Sequence, residues 1–282
     1  MTEPHGPTVR RRRLGSELRR LREAGNLRLE DVAKVLDCST SKVSRIENGQ
    51  GLAKTIEINA MLDLFKVSEP EARAKVTNIH KQAGEQGWWE QAEYEQVLPS
   101  GLGVYVGLEY DARALRSWDL GWVPGLLQTE AYARAVLSDS RSVDQAVEID
   151  RLVSVRTERQ KRLTAPEPLE VWAIVDESVL RRPIGGSAVM REQAEHLLKM
   201  AALPNVTLQV YPFAKGTHPG LRGSFSILEF GASDPDTVYV ESPSGNAFVE
   251  RDRQVVAFNR TFNHLCASAL DPEESVALVR AC

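Results

Sequence analysis

Side chains able to hydrogen-bond to base edges and phosphates crowd one short stretch of this sequence. Within residues 29–48 (LEDVAKVLDCSTSKVSRIEN), Thr40, Ser41, Lys42, Ser44 and Arg45 supply the hydroxyls and cations suited to that chemistry. Their spacing groups them. Val43 and Ile46 lie three apart, so a helix over this run turns those two inward and leaves the polar set outside. A preceding helix must hold it in place. Leu29, Val32, Ala33 and Leu36 fall at helical spacing and give that helix one apolar stripe. Asp37, Cys38 and Ser39 form the turn between the two helices, and Ser39 or Thr40 can cap the second by accepting from its free N–H groups. Asn48 and Gly49 stop it, since both tolerate the left-handed conformation. Two short helices on a tight turn read as a helix-turn-helix, although any amphipathic helical hairpin shares the apolar pattern.

The run STSKVSRIENG resembles the recognition helix of the lambda-repressor/Cro-like regulators, through Ala33, Val43, Ser44, Ile46, Glu47, Asn48 and Gly49. The resemblance implies double-stranded DNA as a partner, with the helix from about residue 39 to residue 48 in the major groove. Thr40, Ser41 and Arg45 are then the base-edge contacts. Arg28, Lys42 and Ser44 position the backbone, and Ser39 and Asn48 complete the interface. Relatives carry Ser, Thr or Asn where Arg28 stands; Arg28 weakens that cap but puts a cation where the family touches phosphate. One such module buries little surface, so a homodimer on a two-fold site is expected.

The chain has 282 residues, beyond the usual size of one domain, so two domains are expected. No apolar run approaches the ~20 residues needed to span a bilayer, and no apolar segment follows the basic N-terminus, so neither a membrane span nor a secretory signal is read. Cys38, Cys266 and Cys282 lack metal-ligand spacing and read as reduced thiols of a cytoplasmic protein. The net charge of −4 alone argues against a nucleic-acid partner. Its distribution reverses that: the first 82 residues hold 16 Lys and Arg against 11 Asp and Glu, the remainder 19 against 28. A basic head on an acidic body suits one domain that docks on phosphates and one that does not. Arg10, Arg11, Arg12 and Arg13 read either as an arm along the DNA backbone or into a minor groove, or as an unstructured solubilising tail.

In chain order, residues 1–9 are expected to be a disordered tail, and residues 10–84 an all-α helix-turn-helix domain of five helices. Its first helix carries Leu14, Leu18 and Leu21 on one face. The fourth (54–66) turns Ile58, Met61, Leu62 and Phe65 inward, and the fifth covers 69–83. Residues 85–103 form a linker in which Trp88 and Trp89 need cover and Pro99, Ser100, Gly101 and Gly103 are breakers. Residues 104–282 read as an α+β domain with a small mixed or antiparallel sheet: helices over 105–118, 129–136, 147–164 and 191–203, strands over 169–175, 206–213, 225–230, 237–241 and 247–250, and closing helices over 252–269 and 272–280. Within it, VPGLLQT (residues 123–129) and the set Asp176, Glu177, Leu180, Arg181, Arg182, Pro183, Gly185 and Gly186 are similar to signatures in the effector domain of actinobacterial helix-turn-helix regulators called antitoxin-like. That resemblance implies a small partner protein encoded by a neighbouring gene, tuning DNA affinity through the second domain. A ligand-sensing second domain is the alternative.

An enzymatic role is not expected. Asp176 and Glu177 are adjacent at a strand end, where neighbours point to opposite faces, so a strand-terminal cap suits them better than paired acid–base work. Lys215, His218 and Arg222 share a Gly-rich loop and read as an anion-binding effector loop or as an ordinary turn. The histidines and cysteines show no metal-ligand spacing, and no phosphate-cradling Gly-rich run occurs, so neither metal nor cofactor is expected. The sequence reading is therefore a sequence-specific transcription regulator, most simply a repressor.

Overall fold

The computed structural model describes residues 9–85, 87–91, 94, 97–98, 101–139, 146–231, 235–242 and 245–282. Of the expected tail over residues 1–9, residues 1–8 lie outside them, as do Pro99 and Ser100 of the linker, while residue 9 opens the first helix. The chain divides into two compact units whose segments interleave: one joins Met1–Gln91 with Gly103–Asp111, the other Ala92–Leu102 with Ala112–Cys282.

The N-terminal unit begins with five helices, α1 (Val9–Ala24), α2 (Leu29–Val35), α3 (Thr40–Glu47), α4 (Thr55–Leu64) and α5 (Pro70–Gly84). Their apolar stripes converge on one core holding Leu14, Leu18, Val32, Val43, Ile46, Ile58, Met61, Leu62, Val76 and Ile79. Gly15 sets how near α1 and α3 come: a Cβ there would lie 2.5 Å from the Glu47 carbonyl oxygen. A further helix, α6 (Leu102–Asp111), supplies the cover that the paired tryptophans require. Trp89 is buried with its ring centroid 5.1 Å from that of Tyr110. A Cβ on Gly107 would come within 3.1 Å of the same indole.

The C-terminal unit is built on a six-stranded mixed sheet of order β3-β2-β1-β4-β5-β6, from β1 (Ala114–Asp119), β2 (Glu170–Asp176), β3 (Val206–Tyr211), β4 (Phe225–Glu229), β5 (Thr237–Ser242) and β6 (Gly245–Val249). The first three strands run parallel; β4 lies antiparallel on the other side of β1, and β5 and β6 continue as an antiparallel meander. Helices α7 (Glu130–Asp139) and α8 (Ala146–Gln160) connect β1 to β2, while α9 (Glu177–Arg181) and α10 (Ser187–Ala201) connect β2 to β3. Helices α11 (Asp252–Ser268) and α12 (Pro272–Arg280) close the chain. Edge strand β3 is covered rather than left open: Val210 N–H donates to Ser275 Oγ at 2.9 Å and Val210 C=O accepts from Leu270 N–H at 2.9 Å.

The helix expected over residues 105–118 is corrected here. It ends at Asp111, and residues 114–119 are β1, hydrogen-bonded on both sides and therefore central to the sheet. Leu108, Ala112 and Leu115 do fall at helical spacing, but pairing with β2 and β4 overrides that local preference.

The VPGLLQT run serves as a buried fastener. Val123, Leu126, Leu127, Gln128 and Thr129 are buried in an irregular loop, where peptide groups lose water and need replacement partners. Glutamines provide them. Gln128 Nε2 donates to Val123 C=O (2.7 Å), Gln160 Nε2 to Gln128 C=O (2.7 Å), and Gln193 bridges the Thr129 N–H and the Leu127 C=O (2.8 and 2.7 Å).

Candidate nucleic-acid interface

Helix α3 owes its position to both of its ends. At the start, Ser39 Oγ accepts from Lys42 N–H at 3.3 Å, so this hydroxyl is the N-cap. Asp37 takes a positive φ of 47° in the turn before it. At the far end, Gly49 takes φ 71° after Asn48, in close approach to Arg12. The C-terminal anchor is an ion pair whose acidic half, Glu47, was read in the sequence only as part of the family pattern. Its carboxylate, 1 % exposed, accepts from Arg22 Nε and Nη2 at 2.7 and 2.9 Å and from Arg19 Nε at 3.4 Å. Arg22 also donates to Leu27 C=O at 2.9 Å, and the bond to Glu47 holds its guanidinium pKa above the ordinary value. The helix is thus pinned to α1 by charge, while Val43 and Ile46 join the buried core of the helical unit.

What remains exposed is the interface. Thr40, Ser41 and Arg45 are exposed, and their side chains have no hydrogen-bond or ion-pair partner among the described residues. Arg28 is exposed as well; its backbone N–H, not its side chain, is used, donating to Asp31 at 2.7 Å to complete half of a capping box. A guanidinium has no acceptor atom, so the other half is absent. Lys42 is differently placed. Its ammonium binds Glu57 of α4 at 2.5 Å, an interaction that raises the Lys42 pKa and lowers that of Glu57. Ser44 is half-buried and accepts from Asn48 Nδ2 at 3.3 Å, while Asn48 Oδ1 accepts from Arg19 at 2.6 Å. Of the eight residues read from the sequence, four therefore project freely and four are also engaged in holding the motif together.

Arg10, Arg11, Arg12 and Arg13 do not form an extended arm or a free tail; they make the first turn of α1. Arg10 Nε lies 2.8 Å from Asp111, its Nη1 3.4 Å from Glu85, and its guanidinium 5.7 Å from the Tyr110 ring. Acidic partners far along the chain hold Arg10, where a local reading sees only consecutive cations.

In the C-terminal unit, Lys215, His218 and Arg222 do not make one site. Lys215 and Arg222 are exposed, whereas the His218 side chain is 3 % exposed, with its ring 4.3 Å from Tyr211 and 5.0 Å from Trp118 by centroid. Burial there lowers the His218 pKa, opposed by Asp176 at 3.9 Å. Gly220 approaches the same indole because Trp118 Nε1 donates to its carbonyl at 2.9 Å, and a Cβ on Gly220 would stand 2.5 Å from that nitrogen. Asp176 caps α9 by accepting from Ser178 N–H at 2.9 Å.

A capped, ion-paired α3 following α2 across a tight turn, with hydroxyls and a guanidinium outward, defines a helix-turn-helix protein of the DNA-binding class. A model described as a helix-turn-helix domain matches residues 13–74. A second, described as a domain of unknown function (DUF5753), matches residues 102–281, more than half of the chain, and the chain belongs to that family. Comparison with curated proteins and comparison with solved structures each give no match. No helix among the described residues is long and apolar enough to cross a membrane.

Proposed function

We propose that the chain is a cytoplasmic, non-enzymatic transcription regulator that binds an operator duplex as a homodimer and acts as a repressor, its DNA affinity set through the C-terminal unit. The observation that carries the DNA half is the exposed, unengaged set Thr40, Ser41 and Arg45 on a helix locked at both ends. Arg45 suits a guanine edge, where a bidentate contact contributes about 1–3 kcal/mol of discrimination. The test begins by selecting duplexes from a random pool with the full chain. Arg45→Ala should then weaken the selected duplex by about tenfold or more while leaving scrambled duplex nearly unchanged. Equal losses on both duplexes would refute base readout.

For the C-terminal unit, the resemblance to antitoxin-like regulators supports a small partner protein from a neighbouring gene, which co-purification would recover. A second reading, a small-molecule signal, is favoured by a cavity of about 350 Å³ in this unit, within the usual size of ligand sites. A small molecule that raises the melting temperature by mass action supports the second reading, and under the first small molecules leave melting unchanged.

A further inference from the structure

The cavity lies where the sheet changes character. Strand β1 has parallel β2 on one side and antiparallel β4 on the other, and the chain leaves β1 towards β2 but returns from β3 to β4 across it. Ligands of open sheets collect at the carboxyl ends of strands at such a switch. Asp119 is the last residue of β1 and lines the cavity. Register puts more chemistry on the same face: Ser117 pairs with Ser226, Ser226 pairs with Tyr239, and alternation adds Asp119 and Glu241. Trp122, in the loop after β1, lines the cavity and is 48 % exposed.

Among the described residues, the lining holds two carboxylates and no cation. Ser117 Oγ donates to Asp119 Oδ2 at 2.8 Å, and Asp119 Oδ1 has no hydrogen-bond donor among the described residues. The Glu241 side chain, at the exposed end of β5, has no hydrogen-bond or ion-pair partner among them. Arg156, whose charge reaches Glu241, and Arg159, whose charge reaches Tyr239, stand on α8 outside the lining. An anion would meet two like charges at the wall. A cation would meet two opposite charges, with aromatic faces beside them for an apolar body.

We propose that this cavity binds a small organic cation, its ammonium group directed to Asp119 and Glu241 and its apolar body against Trp122 and Tyr239. This deepens the reading of the C-terminal unit as the half that receives a signal. Recognition is linked to a proton. Burial, with Glu241 adding and Ser117 opposing, pushes the Asp119 carboxyl up to about 7. Tyr132 of α7 also lies in its field, with Arg182 acting on Tyr132, while Tyr239 of β5 feels Glu241 and Arg159. A bound ammonium favours the carboxylate, so binding releases a proton and tightens as pH rises through that value.

The test is calorimetric titration of the full chain, without DNA, using benzylammonium, benzyl alcohol and benzoate at pH 6 and pH 8. Benzylammonium should bind saturably, about tenfold tighter at pH 8 than at pH 6, since the ionised fraction of a carboxyl near 7 changes by that factor. Benzyl alcohol and benzoate should bind at least about tenfold more weakly, the factor that about 1.4 kcal/mol of charge recognition supplies. Asp119→Asn should abolish the pH dependence, and Glu241→Gln should weaken binding by severalfold. Benzoate binding as well as benzylammonium, or no saturable benzylammonium binding, overturns the proposal. So does unchanged affinity in a folded Asp119→Asn chain. Should Asp119→Asn fail to melt cooperatively, unchanged affinity in both Glu241→Gln and Trp122→Ala overturns it instead. A chain that selects duplex but ignores benzylammonium removes this inference alone; one that binds benzylammonium but selects no duplex removes the regulator reading alone.

Discussion

Replacing Glu47 by alanine should loosen the recognition helix without touching its exposed face. The substitution removes the two short bonds to Arg22 and the longer one to Arg19, leaving a guanidinium that is only 11 % exposed. Removing one partner of a buried pair costs about 3–5 kcal/mol, because the other charge stays behind without compensation. Arg22 keeps Leu27 C=O at 2.9 Å and the exposed Glu23 at 3.4 Å, and water can reach it, so the lower end, about 3 kcal/mol, applies. Hydrogen exchange of the full chain reads this directly. Amides of α1 and α3 should lose about a hundredfold in protection, since each 1.4 kcal/mol is a factor of ten. Amides of β1 and β2 serve as the internal control. The pair Arg22→Met with Glu47→Leu should recover most of the loss, because a well-packed apolar pair can replace an ionic one. Protection within threefold of wild type in Glu47→Ala, or no recovery in the double variant, would refute the ion pair as the anchor of α3.

Two further outcomes follow from neighbouring charges. Lys42 is held by Glu57, so Glu57→Gln should free it for phosphate and steepen the salt dependence of duplex binding by about 0.9 in log–log slope; an unchanged slope counts against competition between the two. His218 binds its proton less readily when folded than its ordinary 6.5, because its ring is buried against Tyr211 and Trp118 with only Asp176 opposing. The unfolded chain therefore takes up the proton first, and the stability that neutral His218 supports is present above pH 6.5 and lost as pH falls below it. One proton sets an upper limit of ~1.4 kcal/mol per pH unit on that slope. His218→Gln should flatten the melting temperature of the C-terminal unit between pH 7 and pH 5.5, and an identical slope in wild type and variant would assign the effect elsewhere.

Local signals carried the helical head. The stripes of α1 to α5, the hydroxyl at Ser39 and the Asn48-Gly49 stop are all short-range features, so spacing and capping located them to within a residue or two. The face presented by α3 was legible for the same reason, since Val43 and Ile46 leave only one side free. Partners that meet across the sequence were not legible. Glu57 finding Lys42, Asp111 and Glu85 finding Arg10, and Arg22 closing on Glu47 depend on which helices pack together.

The sequence by itself determined the position of the helix-turn-helix and nearly all strands of the α+β part. Each of these rests on periodicity or turn chemistry within a dozen residues. Residues 104–111, by contrast, read as part of the second domain, fall in the first unit. Only the tertiary structure decided that residues 114–119 are the central strand, because a strand paired on both sides gains its ladder from β2 and β4, far away along the chain. It alone brought Asp119, Ser226, Tyr239 and Glu241 to one end of one face, since register, rather than spacing along the chain, sets which side chains of separate strands meet.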